Sequence, residues 1–251
     1  MIKIDKSLNE NDIPSSLLTK KVKDKLHEML IKGEYIENSL YKSEDVQNKL
    51  AVLYHNKCAY CESKTKGIVV EHYRPKSKYW WLSLSWDNLL FICSHCNSSK
   101  GDKFEVETEI KNPIEDYIVN QHTSTERYNQ IEKPKCLHPE IDNITGIFYF
   151  EKTGEIFSDD ARGKTTIKLC NLNHQTIKVN RKKVYEDLEK QIKSILIDSK
   201  YSIEKRQSNF EYKINEFKET AANFDNEFSA FLQYIKNNWI EEFEEDAKFS
   251  I

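Results

Sequence analysis

Two closely spaced pairs of cysteines constrain this chain more than any other feature of its sequence. Cys58 and Cys61 form the first CxxC pair, and Cys93 and Cys96 form the second. Each pair lets two thiolates converge on one ion, and two such pairs complete a tetrahedral zinc site. Since four thiolates leave no open coordination position, we expect one zinc ion with a structural role. The alternative is that these cysteines are buried thiols without a metal.

Length and composition favour a folded protein of the cytoplasm. The 251 residues are 38% hydrophobic and 12% aromatic, which is enough for a core in one or two small domains. Charged residues interrupt positions 1–14, and the most apolar stretch, 79–93, is too short to span a bilayer. A reducing cytoplasm disfavours disulfides, so the remaining Cys136 and Cys170 are expected to be buried thiols.

The net charge argues against a protein that coats nucleic acid. Lysine and arginine total 38 and aspartate and glutamate total 41, which gives a net charge of −3 and an isoelectric point near 6.2. A protein that binds DNA by neutralising many phosphates usually carries a basic stripe. Contact with nucleic acid is therefore expected to be local, or to depend on a partner.

The hydrophobic pattern predicts helices at both ends of the chain and short strands between them. Apolar residues recur at helical spacing in 15–32, and Ser43 is placed to cap a second helix. A strand at Ile68–Val70, a helix beginning near Cys96 and a hairpin around 146–154 are predicted next. Four helices are predicted in the last third, over 165–172, 175–198, 202–220 and 222–236. Their apolar residues form a stripe, which in such helices is more often part of the core than a surface for a partner.

Residue types that suit phosphodiester chemistry lie between and after the cysteine pairs. Glu71 and His72 are adjacent, Asn88 precedes the second pair, and Asn97 follows Cys96. This order of an acid beside a histidine, then two asparagines, resembles the HNH endonuclease superfamily. The resemblance implies an α+β fold, in which a ββα-metal unit with a four-cysteine zinc site is flanked by N-terminal and C-terminal helices.

The chemistry of phosphodiester hydrolysis suggests a role for each residue of this motif. A neutral histidine can take the proton of a water molecule, which makes His72 the expected general base. Mg²⁺ or Mn²⁺ prefers oxygen ligands, so Glu71 and Asn97 are expected to hold the catalytic ion. They stand where aspartate and histidine are commoner in the superfamily. The resemblance also implies that Asn88 ties the loop that orients His72.

Several cations near the motif are candidates for contact with phosphates. The candidates that would position the nucleic-acid backbone are Arg74, Lys76 and Lys100. For each of them, an ordinary surface cation without a ligand is an equally frequent alternative. His95, inside the second cysteine pair, is expected to pack or to contact a phosphate, because four cysteines already complete a zinc site.

Longer stretches of the sequence narrow the resemblance. Lys57-Cys-Ala-Tyr-Cys-Glu, Val70-Glu-His-Tyr-Arg-Pro-Lys and Leu137-His-Pro-Glu-Ile-Asp-Asn are similar to the HNH component of Septu-type anti-phage systems and of retron-associated defence modules. The similarity covers roughly 45–185. It implies that the chain acts on DNA in antiviral defence with an ABC-type ATPase as partner.

These observations divide the chain into four expected parts. They are an N-terminal helical segment, an HNH nuclease unit, a loop and hairpin extension that packs on it, and a C-terminal helical region for partner docking: 1–55, 56–112, 113–180 and 181–251. A function from another class is a zinc-stabilised adaptor that binds nucleic acid or protein without catalysis. Such an adaptor has no need for an acid, a base and an asparagine at these positions.

Overall fold

The computed structural model describes residues 1, 3–65, 67–114 and 121–250, without the side chains of 249 and 250. In chain order its helices and strands are α1 Lys20–Lys32, α2 Glu44–Leu53, β1 Ile68–His72, β2 Leu89–Cys93, α3 Ser94–Lys100, α4 Thr125–Glu132, β3 Tyr149–Phe150, β4 Ile156–Phe157, α5 Ala161–Leu169, α6 Gln175–Ile197, α7 Ile203–Ala222, α8 Ser229–Asn238 and α9 Ile240–Ser250. Within the described ranges, no helix combines the length and the apolar character that crossing a membrane requires.

The two N-terminal helices begin and end at residues with defined local roles. The Thr19 side chain accepts a hydrogen bond from the Val22 amide and caps α1, so 15–18 form a 3₁₀ turn where the sequence predicted helix. Gly33 ends α1 in the left-handed region at φ 69°. Ser43 precedes α2 as predicted, but its hydroxyl meets that of Ser16 at 2.6 Å and does not cap the helix.

A two-stranded antiparallel sheet and the helix that follows it form a ββα unit. Ile68 pairs with Cys93 and His72 with Leu89, so β1 ends where β2 begins. Every residue of β2 is buried, and α2 packs on both strands. The α3 helix follows β2 directly, with Cys93 at its N-cap. The α+β arrangement with a ββα unit and flanking helices is therefore present, as the sequence predicted.

An ion pair fills the interior beneath the long loop that joins β1 to β2. Arg74 and Glu132 are fully buried, with Nε 2.8 Å from Oε2. Glu132 also accepts hydrogen bonds from the Tyr79 hydroxyl and the Ile110 amide. Four aromatic rings surround the guanidinium at 5.2–5.8 Å from their centroids, those of Tyr73, Tyr79, Phe104 and Tyr128. The pair connects the loop to α4.

The C-terminal third is a set of helices whose apolar faces are core. Ile214 of α7 and Phe231 of α8 are buried, as is Phe243 of α9 beneath the exposed acidic residues of that helix. The helix predicted from 222 begins only at Ser229, because Phe228 adopts a left-handed φ of 54°. The predicted hairpin is present as β3 paired with β4.

Two buried side chains fasten these helices to the first cysteine pair. The Lys57 ammonium donates to the Asn226 carbonyl at 3.1 Å and to the Ser229 hydroxyl at 2.7 Å. The Glu62 carboxylate accepts from the Ser229 hydroxyl at 2.9 Å and from the Ala230 amide at 3.0 Å. The N-terminus of α8 is thus held by the residues that flank Cys58 and Cys61.

Replacing Glu132 with alanine is expected to lower the free energy of unfolding by about 3–5 kcal/mol, because the buried Arg74 then has no counter-charge. Urea unfolding followed by circular dichroism measures this loss. The matched control is Glu107→Ala, which removes an exposed pair with Lys133 and should cost less than about 1 kcal/mol. Equal losses for the two variants would show that the buried pair has no special weight.

Candidate active site and metal centre

The four paired cysteines meet at one point of the ββα unit. Their sulfur atoms all lie within 4.8 Å of one another, and all four residues are buried. Cys58 and Cys61 come from the loop before β1, Cys93 ends β2, and Cys96 lies in the first turn of α3. Hydrogen bonds from neighbouring thiols, that of Cys58 first, lower the pKa of Cys93 far below its usual range. Such a donor set can hold a metal ion, and its four soft sulfur ligands suit zinc.

The two other cysteines and His95 lie outside this donor set. Cys136 and Cys170 are buried thiols, as predicted. The His95 ring packs against the ring of His174 with centroids 4.0 Å apart. Of its two expected roles, the structure therefore shows packing.

His72 ends β1 with its ring enclosed and held in one orientation. The residue is 1% exposed, and Nε2 lies 2.9 Å from the Ser83 carbonyl oxygen. A carbonyl can only accept, so Nε2 carries the proton and Nδ1 keeps its lone pair. Burial, with a smaller contribution from nearby lysine charges, lowers the pKa of His72 to about 3. The ring is therefore neutral at pH 7, and the lone pair of Nδ1 is unprotonated.

Asn88 joins the two ends of the loop that carries the Ser83 carbonyl. Its Oδ1 accepts from the Arg74 amide at 2.8 Å, and its Nδ2 donates to the carbonyls of Arg74 at 3.2 Å and Leu82 at 3.1 Å. Because Leu82 precedes Ser83, these bonds fix the backbone that holds the His72 ring. This geometry is the one expected of an asparagine that orients the histidine through the loop.

Glu71 and Asn97 are half-buried and lie on neighbouring elements. Glu71 is on β1 beside His72, and Asn97 is on α3, which packs against β1. Among the described residues, neither side chain has a hydrogen-bond or ion-pair partner, so their oxygens are free to bind a cation or water. In the same ranges the cysteine group is the only set of three or more histidine, cysteine, aspartate and glutamate ligands that meet. A catalytic ion would thus need Asn97, water and substrate oxygens beside Glu71.

The structure corrects the expected role of two cations. Arg74 lies in the interior with Glu132, and Lys100 is also fully buried, with its ammonium 2.8 Å from the His72 carbonyl oxygen. Neither side chain can reach a phosphate at the surface from these positions. Lys100 instead connects the end of α3 to the end of β1.

Lys76 differs from these two cations, because its side chain is 28% exposed. Its ammonium lies 3.1 Å from the Tyr35 hydroxyl and 3.4 Å from the Tyr41 hydroxyl. The Tyr41 ring packs on His72 with centroids 4.5 Å apart. No sequence motif marks Tyr41, which precedes His72 by a whole helix, so this neighbour of the candidate base was not predicted.

Comparisons with known proteins match the part of the chain that contains the four cysteines and His72. Residues 58–103 match the family model of the HNH endonucleases. The chain is 30% identical over 168 residues to Septu protein PtuB of Bacillus mycoides (strain KBAB4), covering 59% of this chain and 54% of that protein. It is 29% identical over 172 residues to PtuB of Bacillus thuringiensis, covering 66% of this chain and 54% of that protein.

A weaker similarity involves a second Septu protein. The chain is 24% identical over 151 residues to PtuA of Bacillus mycoides (strain KBAB4), which covers 53% of this chain and 20% of that protein. The matched parts thus span about half the length of the PtuB relatives and less of PtuA. No solved structure matches the chain significantly. With the HNH segment 58–103 on a ββα unit and relatives among the Septu proteins, the predicted resemblance is confirmed: residues 58–103 form an HNH endonuclease domain, and the chain is similar to Septu protein PtuB.

Proposed function

We propose that the chain is a metal-dependent endonuclease that hydrolyses phosphodiester bonds of DNA in anti-phage defence. The observation that carries this proposal is the His72 ring, which is neutral, held through Nε2 and left with a free lone pair at Nδ1. It ends β1 beside Glu71, and the helix that carries Asn97 packs against this strand. A base and an oxygen donor on β1, with a second oxygen donor on the helix that packs against this strand, suit the attack of water on a phosphodiester.

In this mechanism the protein residues position one water molecule and take its proton. His72 accepts the proton at Nδ1, while the Ser83 carbonyl keeps the ring from turning. The loop contacts of Asn88 keep Ser83 in place and so preserve the angle at which the base meets the water. Phosphodiester hydrolysis then needs an in-line approach, which an enclosed and immobile ring favours.

Two metals are proposed with separate roles. Glu71 and Asn97 would hold Mg²⁺ or Mn²⁺ through oxygen, and this ion supplies charge neutralisation at the phosphate and the leaving oxygen. Zinc in the four-cysteine site would be structural, because its ligands close the coordination shell. The four convergent sulfur atoms and the unpartnered oxygens of Glu71 and Asn97 support this division.

His72→Ala is expected to reduce plasmid cleavage in Mg²⁺ or Mn²⁺ by about 10²–10⁴-fold, the usual contribution of a general base. The exposed His27 on α1 provides the control, and His27→Ala should cleave at the wild-type rate. Circular dichroism must show that both variants keep the fold. If His72→Ala cleaves normally, or if the wild type never cleaves with metal and the co-encoded partner, the non-catalytic adaptor is the better description.

We expect the purified chain to contain one zinc ion, which Cys61→Ala loses together with thermal stability, because metal binding is coupled to folding. Elemental analysis and a melting curve measure the two effects. Cys136→Ala removes a buried thiol outside the metal-binding group and should retain the zinc. Zinc that persists in Cys61→Ala would place the ion elsewhere.

The proposed partner is an ABC-type ATPase, as the Septu resemblance implies. Exposed apolar residues at the turn between α6 and α7 support a contact surface there, since Ile197 is 75%, Tyr201 49% and Ile203 51% exposed. Deleting the helices from 202 onwards would remove core residues, so point variants give a cleaner test.

A chain with Tyr201→Ser and Ile203→Ser is expected to lose co-purification with the ATPase encoded beside it, because the apolar contact at the turn is removed. Affinity capture with a tagged ATPase measures the loss. Val52→Ser on α2, a position 74% exposed, is the control for removing an apolar side chain from the surface. Undiminished capture of the double variant would move the interface away from this turn.

A further inference from the structure

Two lysines lie beside the candidate base and keep their charges at the surface. The Tyr41 ring, which packs on His72, has the Lys42 ammonium 5.2 Å and the Lys76 ammonium 5.3 Å from its centroid. Lys76 also lies 4.4 Å from the centroid of the Tyr35 ring. Lys42 of the N-terminal part and Lys76 of the loop after β1 thus lie beside the ring that packs on the enclosed histidine.

Neither lysine is neutralised by a strong counter-charge. Lys42 is exposed, and no carboxylate among the described residues lies within ion-pair distance of it. Lys76 has one such partner, Glu37 at 3.4 Å, whose side chain is 80% exposed. An exposed pair of this kind is weak and is screened by salt. Both ammonium groups therefore remain available to an anion.

Two other cations near His72 are committed to the interior. Arg74 is paired with Glu132, and Lys100 donates to the backbone at His72. In a chain of net charge −3, the two lysines at Tyr41 are therefore a local source of positive charge at the site. This arrangement fits a polyanion that is bound over a short length.

We propose, resting on the endonuclease function proposed above, that Lys42 and Lys76 form a phosphate clamp that contacts the nucleic-acid backbone next to the scissile bond. The clamp recognises phosphates and carries no preference for base sequence. Tyr41 is its positioning residue, because one ring supports both ammonium groups and also packs against His72. The N-terminal segment thereby completes the substrate site of the ββα unit.

The clamp is tested by binding, measured separately from cleavage. Fluorescence anisotropy follows the full chain carrying His72→Ala as it binds a labelled DNA duplex over a series of salt concentrations. Lys42→Gln and Lys76→Gln, each added to this chain, should weaken binding alike for unrelated sequences. Each should also reduce the slope of log K against log salt by about 1, since one phosphate contact is lost. Lys183→Gln, an exposed lysine of α6, should leave the slope unchanged.

Kinetics on the otherwise wild-type chain separate contact from positioning. The lysine variants should raise KM with little change in kcat. Tyr41→Leu should lower kcat and raise KM together, and Tyr41→Phe should restore both because it keeps the ring. Lysine variants that lower kcat without weakening binding would overturn the clamp and indicate a purely structural role.

The clamp and the nuclease function fail in different ways. Cleavage that depends on His72, combined with salt slopes that neither lysine variant changes, rejects the clamp and keeps the nuclease. Binding with lysine-dependent slopes by a wild-type chain that never cleaves keeps the clamp and rejects the nuclease. A chain that binds neither duplex nor single-stranded DNA rejects the clamp.

Discussion

Two strands of five residues cannot by themselves hold a histidine ring in a fixed orientation, so the site depends on the four cysteines that join its parts. The sulfur atoms bring together the loop before β1, the end of β2 and the first turn of α3. An isolated hairpin of this size is marginally stable in water. A metal bound by the four sulfurs would supply the cross-link that a hydrophobic core supplies in a larger sheet.

The loop between the strands is stabilised in a different way. It carries Ser83, which holds the His72 ring, and its interior contains the Arg74 guanidinium among aromatic rings. A buried charge requires a counter-charge, which Glu132 of α4 supplies, and Asn129 of the same helix accepts a hydrogen bond from the guanidinium at 2.7 Å. The orientation of the candidate base is therefore determined partly by a helix that lies far from His72 in the sequence.

The sequence was informative where chemistry depends on spacing. The CxxC pairs predicted a four-sulfur cluster, because ligands of one ion must recur at fixed positions along the chain. Glu71-His72 with the two asparagines carried the resemblance to the HNH superfamily, and that resemblance implied the ββα unit. The sequence could not show that Arg74 and Lys100 are buried. A lysine or arginine beside a motif looks the same whether its partner is a phosphate or a distant glutamate. Tyr41 was missed for the same reason, since its contact with His72 arises from tertiary packing.

The contacts of Lys57 and Glu62 with Ser229 connect the C-terminal helices rigidly to the first cysteine pair. A displacement of α8 along its axis cannot leave the backbone around Cys58 and Cys61 unchanged, because the connecting atoms are buried and fully hydrogen-bonded. Coupling of this kind is reciprocal. A molecule that prefers one position of α8 would therefore alter the affinity of the cysteines for a metal by the same factor by which the metal alters the affinity for that molecule. The metal content of the cysteine site and the binding of a partner to α8 would then depend on each other.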